Sequence, residues 1–406
     1  MVIEVEAVTS TVVGMPASDP RTILADDLLE VLNQRASRHD AENSFPADDL
    51  EALREIGYLR LLVPRDFGGT GASLEQAVRC QARLAAAAPA TALAVNMHHV
   101  VAGIARARHE AGDAGLDWML REIVAGETYA LAISEIGNDA VLYDSNVRAE
   151  PEADGGYRLH GMKIFTSLSP VWTSLVTFGR DDTGAEPSLV HGVLRRGDDG
   201  VRIHDDWDTL GMRATQSCST SLDGALIPAE RVIARLPVGP SSEPHIFAVH
   251  SNFLLLVAAC YVGIGDRALE LAIEAAEHRT SSTQSGIRLA DDVQVREEIA
   301  RMSIRQLAAR TLVESIARDV DEGAPHGDAW FARLTMAKYE AVAAAATTTQ
   351  DALGIVGGSG YRSGHELARL LRDVLAGGLH PSNERAVRRL HASHRLGPIQ
   401  DPPARR

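Results

Sequence analysis

Tyr129–Leu142, YALAISEIGNDAVL, and Gly155–Ser167, GGYRLHGMKIFTS, are the segments on which the reading of this chain turns. The first alternates small and apolar residues and then breaks at Ser134, Glu135 and Gly137. That is the pattern of a strand emptying into a loop with free backbone N–H groups and a hydroxyl. The second turns at Gly155-Gly156 and returns, hairpin-like, to an aromatic, Phe165, followed by the hydroxyls of Thr166 and Ser167. Two strand ends with hydroxyls beside an aromatic make a shelf for a flat heterocycle with polar edges.

Outward from this stretch the chain changes character twice. Upstream, apolar residues recur at helical spacing over 22–38, 45–56, 76–88, 90–108 and 117–124, with Ser18 or Asp19 as the expected first N-cap after a loose tail of about 20 residues. Short β-prone segments bounded by Gly, Asp and Pro follow at 173–179, 189–194, 201–204 and 217–227. After a Pro/Ser linker at 237–244, helical patterns return over 253–278, 293–320 and 329–353. The expected fold class is α+β: a helical domain over 1–128, a β-barrel or sandwich domain over 129–237, and a four-helix bundle over 238–406. Ala258, Ala259, Gly263 and Gly265 predict close helix packing, and with it a homodimer or homotetramer.

Composition narrows the partners. A formal charge of -15 over 406 residues argues against nucleic acid or an anionic membrane surface. The three cysteines, Cys80, Cys218 and Cys260, have no paired spacing, so a reducing, cytoplasmic setting is expected. No signal pattern opens the chain, and no apolar run reads as the roughly 18 residues of a membrane span.

Four segments resemble the acyl-CoA dehydrogenase superfamily: the shelf itself, GYLRLLVPRDFGGTGAS (57–73), LGMRATQSCSTSLDGALIPAERVI (210–233), and the tail from Gly357-Gly358 through Arg372-Asp373 to Leu396-Gly397. The resemblance is co-linear across nearly the whole chain. It implies a flavin, FAD with FMN as the alternative, with Ser134 at the pyrimidine edge, Ser167 near N5 and Phe165 as a wall. For the adenylate half it implies Arg279, Gln294 and the Gly357-Gly358 turn, acting with a neighbouring subunit. Departures are as informative. Ile136 replaces the proline after the shelf glutamate, Asn138-Asp139 follows in an altered loop, and the aromatic usual after Arg279 is missing from Thr280-Ser281-Ser282.

The sharpest departure concerns the base that removes an α-proton from an acyl thioester. Nine residues beyond Arg372, where the family places its glutamate, stands Pro381, and the alternative base position holds Phe253. In place of the glutamate motif stands Leu379-His380-Pro381-Ser382-Asn383. A histidine in this register is similar to the flavin monooxygenases of the same fold, where reduced flavin meets dioxygen. His380, with His98 or His99 from an apolar helix as a second polar group, is therefore the expected catalytic set, and Asn383 occupies a flavin-bonding threonine's place. The expected activity is that of a flavin-dependent monooxygenase or oxidase on a small or carrier-bound substrate, served by a flavin reductase or electron-transfer flavoprotein. An acyl-thioester dehydrogenase with a non-standard base is the alternative, and a flavin-free scaffold the third reading.

Overall fold

The computed structural model describes residues 19–138, 140–280 and 286–397. Ser18, most of the N-terminal tail, Asp139 and Ser281-Ser282 lie outside the described residues. Asp19 caps only a short 3-10 turn over Pro20–Thr22, and the first α-helix starts later, at Asp26. Helices α1 (Asp26–Glu42), α2 (Ala47–Glu55), α3 (Leu74–Ala87), α4 (Pro89–Glu110) and α5 (Asp117–Val124) precede the sheet. Ser73 and Gln76 close a capping box at the head of α3, satisfying two otherwise orphaned N–H groups.

Eight strands follow: β1 (Tyr129–Ala132), β2 (Arg148–Pro151), β3 (Tyr157–Lys163), β4 (Ser174–Asp181), β5 (Ser188–Arg195), β6 (Val201–Ile203), β7 (Thr220–Ile227) and β8 (Val232–Pro237). Their order is β6-β7-β3-β2-β4-β5-β8, with β1 laid parallel against β4. The Gly155-Gly156 turn does make a hairpin, but between β2 and β3. Among the described residues the backbones of the two opening segments pair at the single bridge Ser134–Ile164, and the side chains of Glu135 and Lys163 meet beside it. Strand β2 has no alternating signature because its burial runs exposed, buried, intermediate, exposed over four residues.

The C-terminal helices are α6 (Pro244–His278), α7 (Val293–Asp321), α8 (Trp330–Val356), α9 (Glu366–Asp373) and α10 (Glu384–Leu396). Helix α6 begins nine residues before the expected 253, because Pro244 sits in its first turn, where a missing N–H costs nothing. By length and mean hydropathy (1.8) α6 also passes the membrane-span test that the sequence reading had it fail, yet 89% of that window is buried inside the protein. It is the central core helix. A Cβ on Gly263 would lie 2.1 Å from the Ala82 carbonyl of α3, so the small residues of α6 admit a helix of the same chain. One continuous apolar cluster joins α1–α5 to α6–α9 and to one face of the sheet; a second, smaller one fills the sheet's other side around Trp172 and Leu159.

Candidate active site

A cleft of about 610 Å³ opens where the sheet meets α6, α8 and α10. Its shelf is the strand-end pair read from the sequence: Ser134, Phe165 and Ser167 all line it. Phe165 takes a left-handed backbone (φ 58°) and meets Trp207 edge-on, ring centres 6.0 Å apart. The Ser167 hydroxyl lies 2.8 Å from that of Ser217, which lies 2.8 Å from that of Thr215. Thr215 in turn donates to the Met212 carbonyl at 2.9 Å.

Beneath the shelf is a buried ion pair. Glu135 accepts from the Lys163 ammonium, from the Ser145 hydroxyl (2.5 Å), from the Asn146 N–H (2.6 Å) and from the Asn138 amide (2.9 Å). Burial alone would raise the Glu135 pKa; Lys163 and these donors outweigh it and hold the carboxyl below its ordinary value. Burial brings the Lys163 ammonium down to about 8, against the pull of Glu135, and the ammonium also stands 3.9 Å from the Phe178 ring centre. The pair closes the loop between Asn138 and Asn146, which carries Val141, Leu142 and Tyr143 into the cleft.

The opposite wall comes from the bundle. Tyr143, His250 and Phe331 form a ring cluster, with His250 4.8 Å from Phe331 and 5.8 Å from Tyr143. Burial lowers the His250 pKa to about 4, against a backbone bond to Ile246. His380 Nε2 lies 2.8 Å from the hydroxyl of Tyr261, whose proton burial holds firmly, so the phenol is suited to donate and leave Nδ1 as the second ring nitrogen. Burial, then the nearby Lys338, bring the His380 pKa to about 3. Pro381 lines the cleft beside it. Asn383 lines it too, but its side-chain oxygen caps α10 through the Ala386 N–H at 3.1 Å.

Of the seven non-glycine residues with positive φ among the described residues, four, Leu142, Phe165, Met212 and Ser382, line this cleft. Each costs on the order of 1 kcal/mol and persists only where its surroundings over-determine it. The Asp373 carboxylate accepts the Met212 N–H at 2.5 Å. The buried Lys338 ammonium donates to the carbonyls of Gly377 (2.7 Å) and Ser382 (3.3 Å).

Several expected site residues stand elsewhere. His98 is fully buried between backbones: it accepts from the Tyr129 N–H (3.1 Å) at Nδ1 and gives Nε2 to the Leu59 carbonyl (2.8 Å). With both nitrogens taken and burial holding its pKa near 4, it ties α4 to the head of β1 and does not face the cleft, whereas its neighbour Met97 does. His99 is buried against Tyr58 and does not line the cleft either. Arg279 binds the last carbonyls of α8, Ile355 (2.6 Å) and Val356 (2.5 Å), packing on Gly357. Gln294 is exposed in the first turn of α7, and Gly358 follows the end of α8; neither lines the cleft. Sequence reasoning missed His250, Tyr143, Phe331 and the Glu135–Lys163 pair. The last was open to it, since both residues lie inside the quoted segments.

The geometry has a counterpart among known proteins. Family models described as the N-terminal and C-terminal domains of acyl-CoA dehydrogenase match residues 24–133 and 254–379, together more than half of the chain. The chain belongs to the acyl-CoA dehydrogenase superfamily. It is 29% identical over 389 residues to the amino sugar nitrososynthase DnmZ of Streptomyces peucetius, covering 91% of each chain. To the putative acyl-CoA dehydrogenase YdbM of Bacillus subtilis it is 28% identical, over 89% of this chain and 92% of that one. The solved complex of KijD3 with FMN and dTDP-3-amino-2,3,6-trideoxy-4-keto-3-methyl-D-glucose superposes with a TM-score of 0.84 at 28% identity, covering 97% of this chain and 96% of the other. Membership of this superfamily makes the protein a flavin-dependent oxidoreductase.

Proposed function

We propose that the chain is a monooxygenase that binds the FMN portion of a flavin on the Phe165 shelf and oxygenates a small substrate held against Tyr143, His250 and Phe331. The residues present suit the flavin: an aromatic pair at the shelf, hydroxyls at Ser134 and Ser167 for the ring edge, and a volume within the usual range of ligand pockets, about 300–1,000 Å³. The solved KijD3 complex, 28% identical over 97% of this chain, holds FMN, so FMN is the favoured form; chromatography of the released cofactor decides between FMN and FAD. Reduced flavin supplies two electrons to dioxygen, one oxygen atom entering the substrate and the other leaving as water. A separate flavin reductase is the fitting electron source.

The observation that carries this reading is the base position. Among the described residues lining the cleft, Glu135 is the sole carboxylate, and it is locked beneath the shelf. Glu384 lies one turn away and pairs with Arg388. Imidazoles with pKa values near 4 and 3 are weak bases for a carbon acid, whose removal wants a base poised near the working pH. As neutral groups His250 and His380 can still orient a substrate or donate a hydrogen bond. Arg372, the sole cation among those lining residues, is held by Asp40, which favours an uncharged substrate body within the cleft.

Anaerobic stopped-flow mixing of the flavin-loaded protein with butyryl- or octanoyl-CoA is the test. The flavin should stay oxidised, because a missing positioned base withholds about 10²- to 10⁴-fold in rate. Rapid bleaching by either thioester would overturn the reading in favour of a dehydrogenase, and its loss in Glu384→Gln would name the base.

A further inference from the structure

The hydroxyls of Ser167, Ser217 and Thr215 form a chain that ends on the Met212 carbonyl. All three side chains line the cleft, and the three residues are 7%, 5% and 1% exposed. A hydroxyl carries one proton, so the direction of any one of these bonds sets the direction of the others. While Thr215 donates to the Met212 carbonyl, Ser217 must donate to Thr215 and Ser167 to Ser217. Ser167 is then left only as an acceptor toward the cleft. The chain can also run backwards. The Met212 carbonyl accepts the Thr215 N–H at 3.0 Å and lies 3.4 Å from the Trp207 indole N–H, so it remains paired if the Thr215 hydroxyl turns away. Ser167 then becomes a donor.

We infer that this chain is a reversible hydroxyl relay that matches the flavin edge in both redox states and favours the reduced one, with Ser217 and Thr215 as positioning residues that act through Ser167. The inference rests on the flavin pose proposed above, in which Ser167 meets N5. That nitrogen is a lone-pair acceptor in oxidised flavin and an N–H donor in reduced flavin. Against oxidised flavin the relay makes three bonds: Ser167 to N5, Ser217 to Ser167, and Thr215 to Ser217. Against reduced flavin it makes four: N5–H to Ser167, Ser167 to Ser217, Ser217 to Thr215, and Thr215 to Met212. The difference is one hydrogen bond in a buried setting, a preference of about two- to tenfold for reduced flavin. A protein that receives reduced flavin from a separate reductase gains by this bias, since it retains the reduced cofactor and lets the spent one go.

The test measures dissociation constants of oxidised and reduced FMN for the apoprotein, anaerobically, with the midpoint potential of the holoprotein as a second readout. Ser217→Ala leaves the Ser167 proton free for oxidised flavin but without a partner when the flavin is reduced. It should weaken reduced FMN by about two- to tenfold while changing oxidised FMN by less than twofold. A tenfold change lowers the midpoint potential by about 30 mV for two electrons. Ser217→Thr, which keeps the hydroxyl, should restore the wild-type ratio. An unchanged ratio in Ser217→Ala, with Ser167→Ala altering it, overturns the relay and leaves the pose standing. If Ser167→Ala also leaves both constants and the potential unchanged, the pose fails and the relay falls with it.

Discussion

Removing the Glu135 carboxylate should cost more stability than removing the lysine it pairs with, and the ordering follows from what each partner leaves behind. In Glu135→Ala the Lys163 ammonium, its side chain 0% exposed, keeps only the face of Phe178. Stranding such a charge costs about 3–5 kcal/mol. Escape by deprotonation at pH 7 is no cheaper, because moving an ordinary lysine pKa of 10.5 down to 7 amounts to about 5 kcal/mol. In Lys163→Met the carboxylate, its side chain 1% exposed, still accepts from Ser145, Asn146 and Asn138, so the loss should be nearer 2 kcal/mol. The double variant should lose clearly less than the sum, as expected for one coupled pair. Urea unfolding of the apoprotein, compared by midpoint at unchanged slope, measures all three. A Glu135→Ala protein within 1 kcal/mol of wild type, or a Lys163→Met protein less stable than it, would refute this reading of the pair.

Two further outcomes are expected. Gly211→Ala places a Cβ 2.2 Å from the Arg372 carbonyl, which must push the 210–212 loop off its seat; the expected loss is about 1–3 kcal/mol, with flavin affinity falling alongside, and a normally stable, normally binding variant would contradict this close packing of the loop on α9. Burial, opposed by Arg369, raises the Asp373 pKa from 3.8 to about 6, so the native state holds this proton where the unfolded chain has lost it. Its share of stability is complete below pH 4 and falls by on the order of 2–3 kcal/mol as the pH rises to about 6. Asp373→Asn, which keeps an acceptor for the Met212 N–H, should flatten that part of the stability–pH curve, and an unaltered curve would assign the slope to another group.

The shelf was legible because its parts lie close together in sequence: a strand end at Ser134, and Phe165 with Ser167 after a glycine turn. The helical regions were legible from apolar spacing, and Pro381 from counting in a recognisable tail. What escaped the reading depended on long-range meetings. His380 faces the cleft and bonds Tyr261, 119 residues away, and nothing local to either residue says so. His250 was hidden because α6 was started at 253, Pro244 and its neighbours having been taken for a linker. His98 misled for a different reason. Helix α4 is buried over most of its circumference, so periodicity could not say which histidine side met the cleft and which met Leu59 and Tyr129. Arg279, which the resemblance assigns to the cofactor, closes the end of α8, a meeting that nothing near it in sequence announces.

The failures of local propensity around the cleft share one cause. Leu142, Phe165, Met212 and Ser382 all adopt a backbone that their side chains disfavour, and no local signal predicts it. Three of them lie where a buried charged group grips the backbone or its loop: Glu135 closes the segment holding Leu142, Asp373 binds the Met212 N–H, and Lys338 binds the Ser382 carbonyl. Burying these groups is unfavourable for their charged forms, as the lowered Lys338 pKa (about 8) and the raised Asp373 pKa (about 6) indicate. A chain selected for stability alone would have little use for either the strain or the buried charge. Together they hold irregular loops in fixed positions around a cleft, which a site for a rigid planar ring requires and a mere packing interface does not. The strained residues and their buried anchors therefore mark the site independently of any motif.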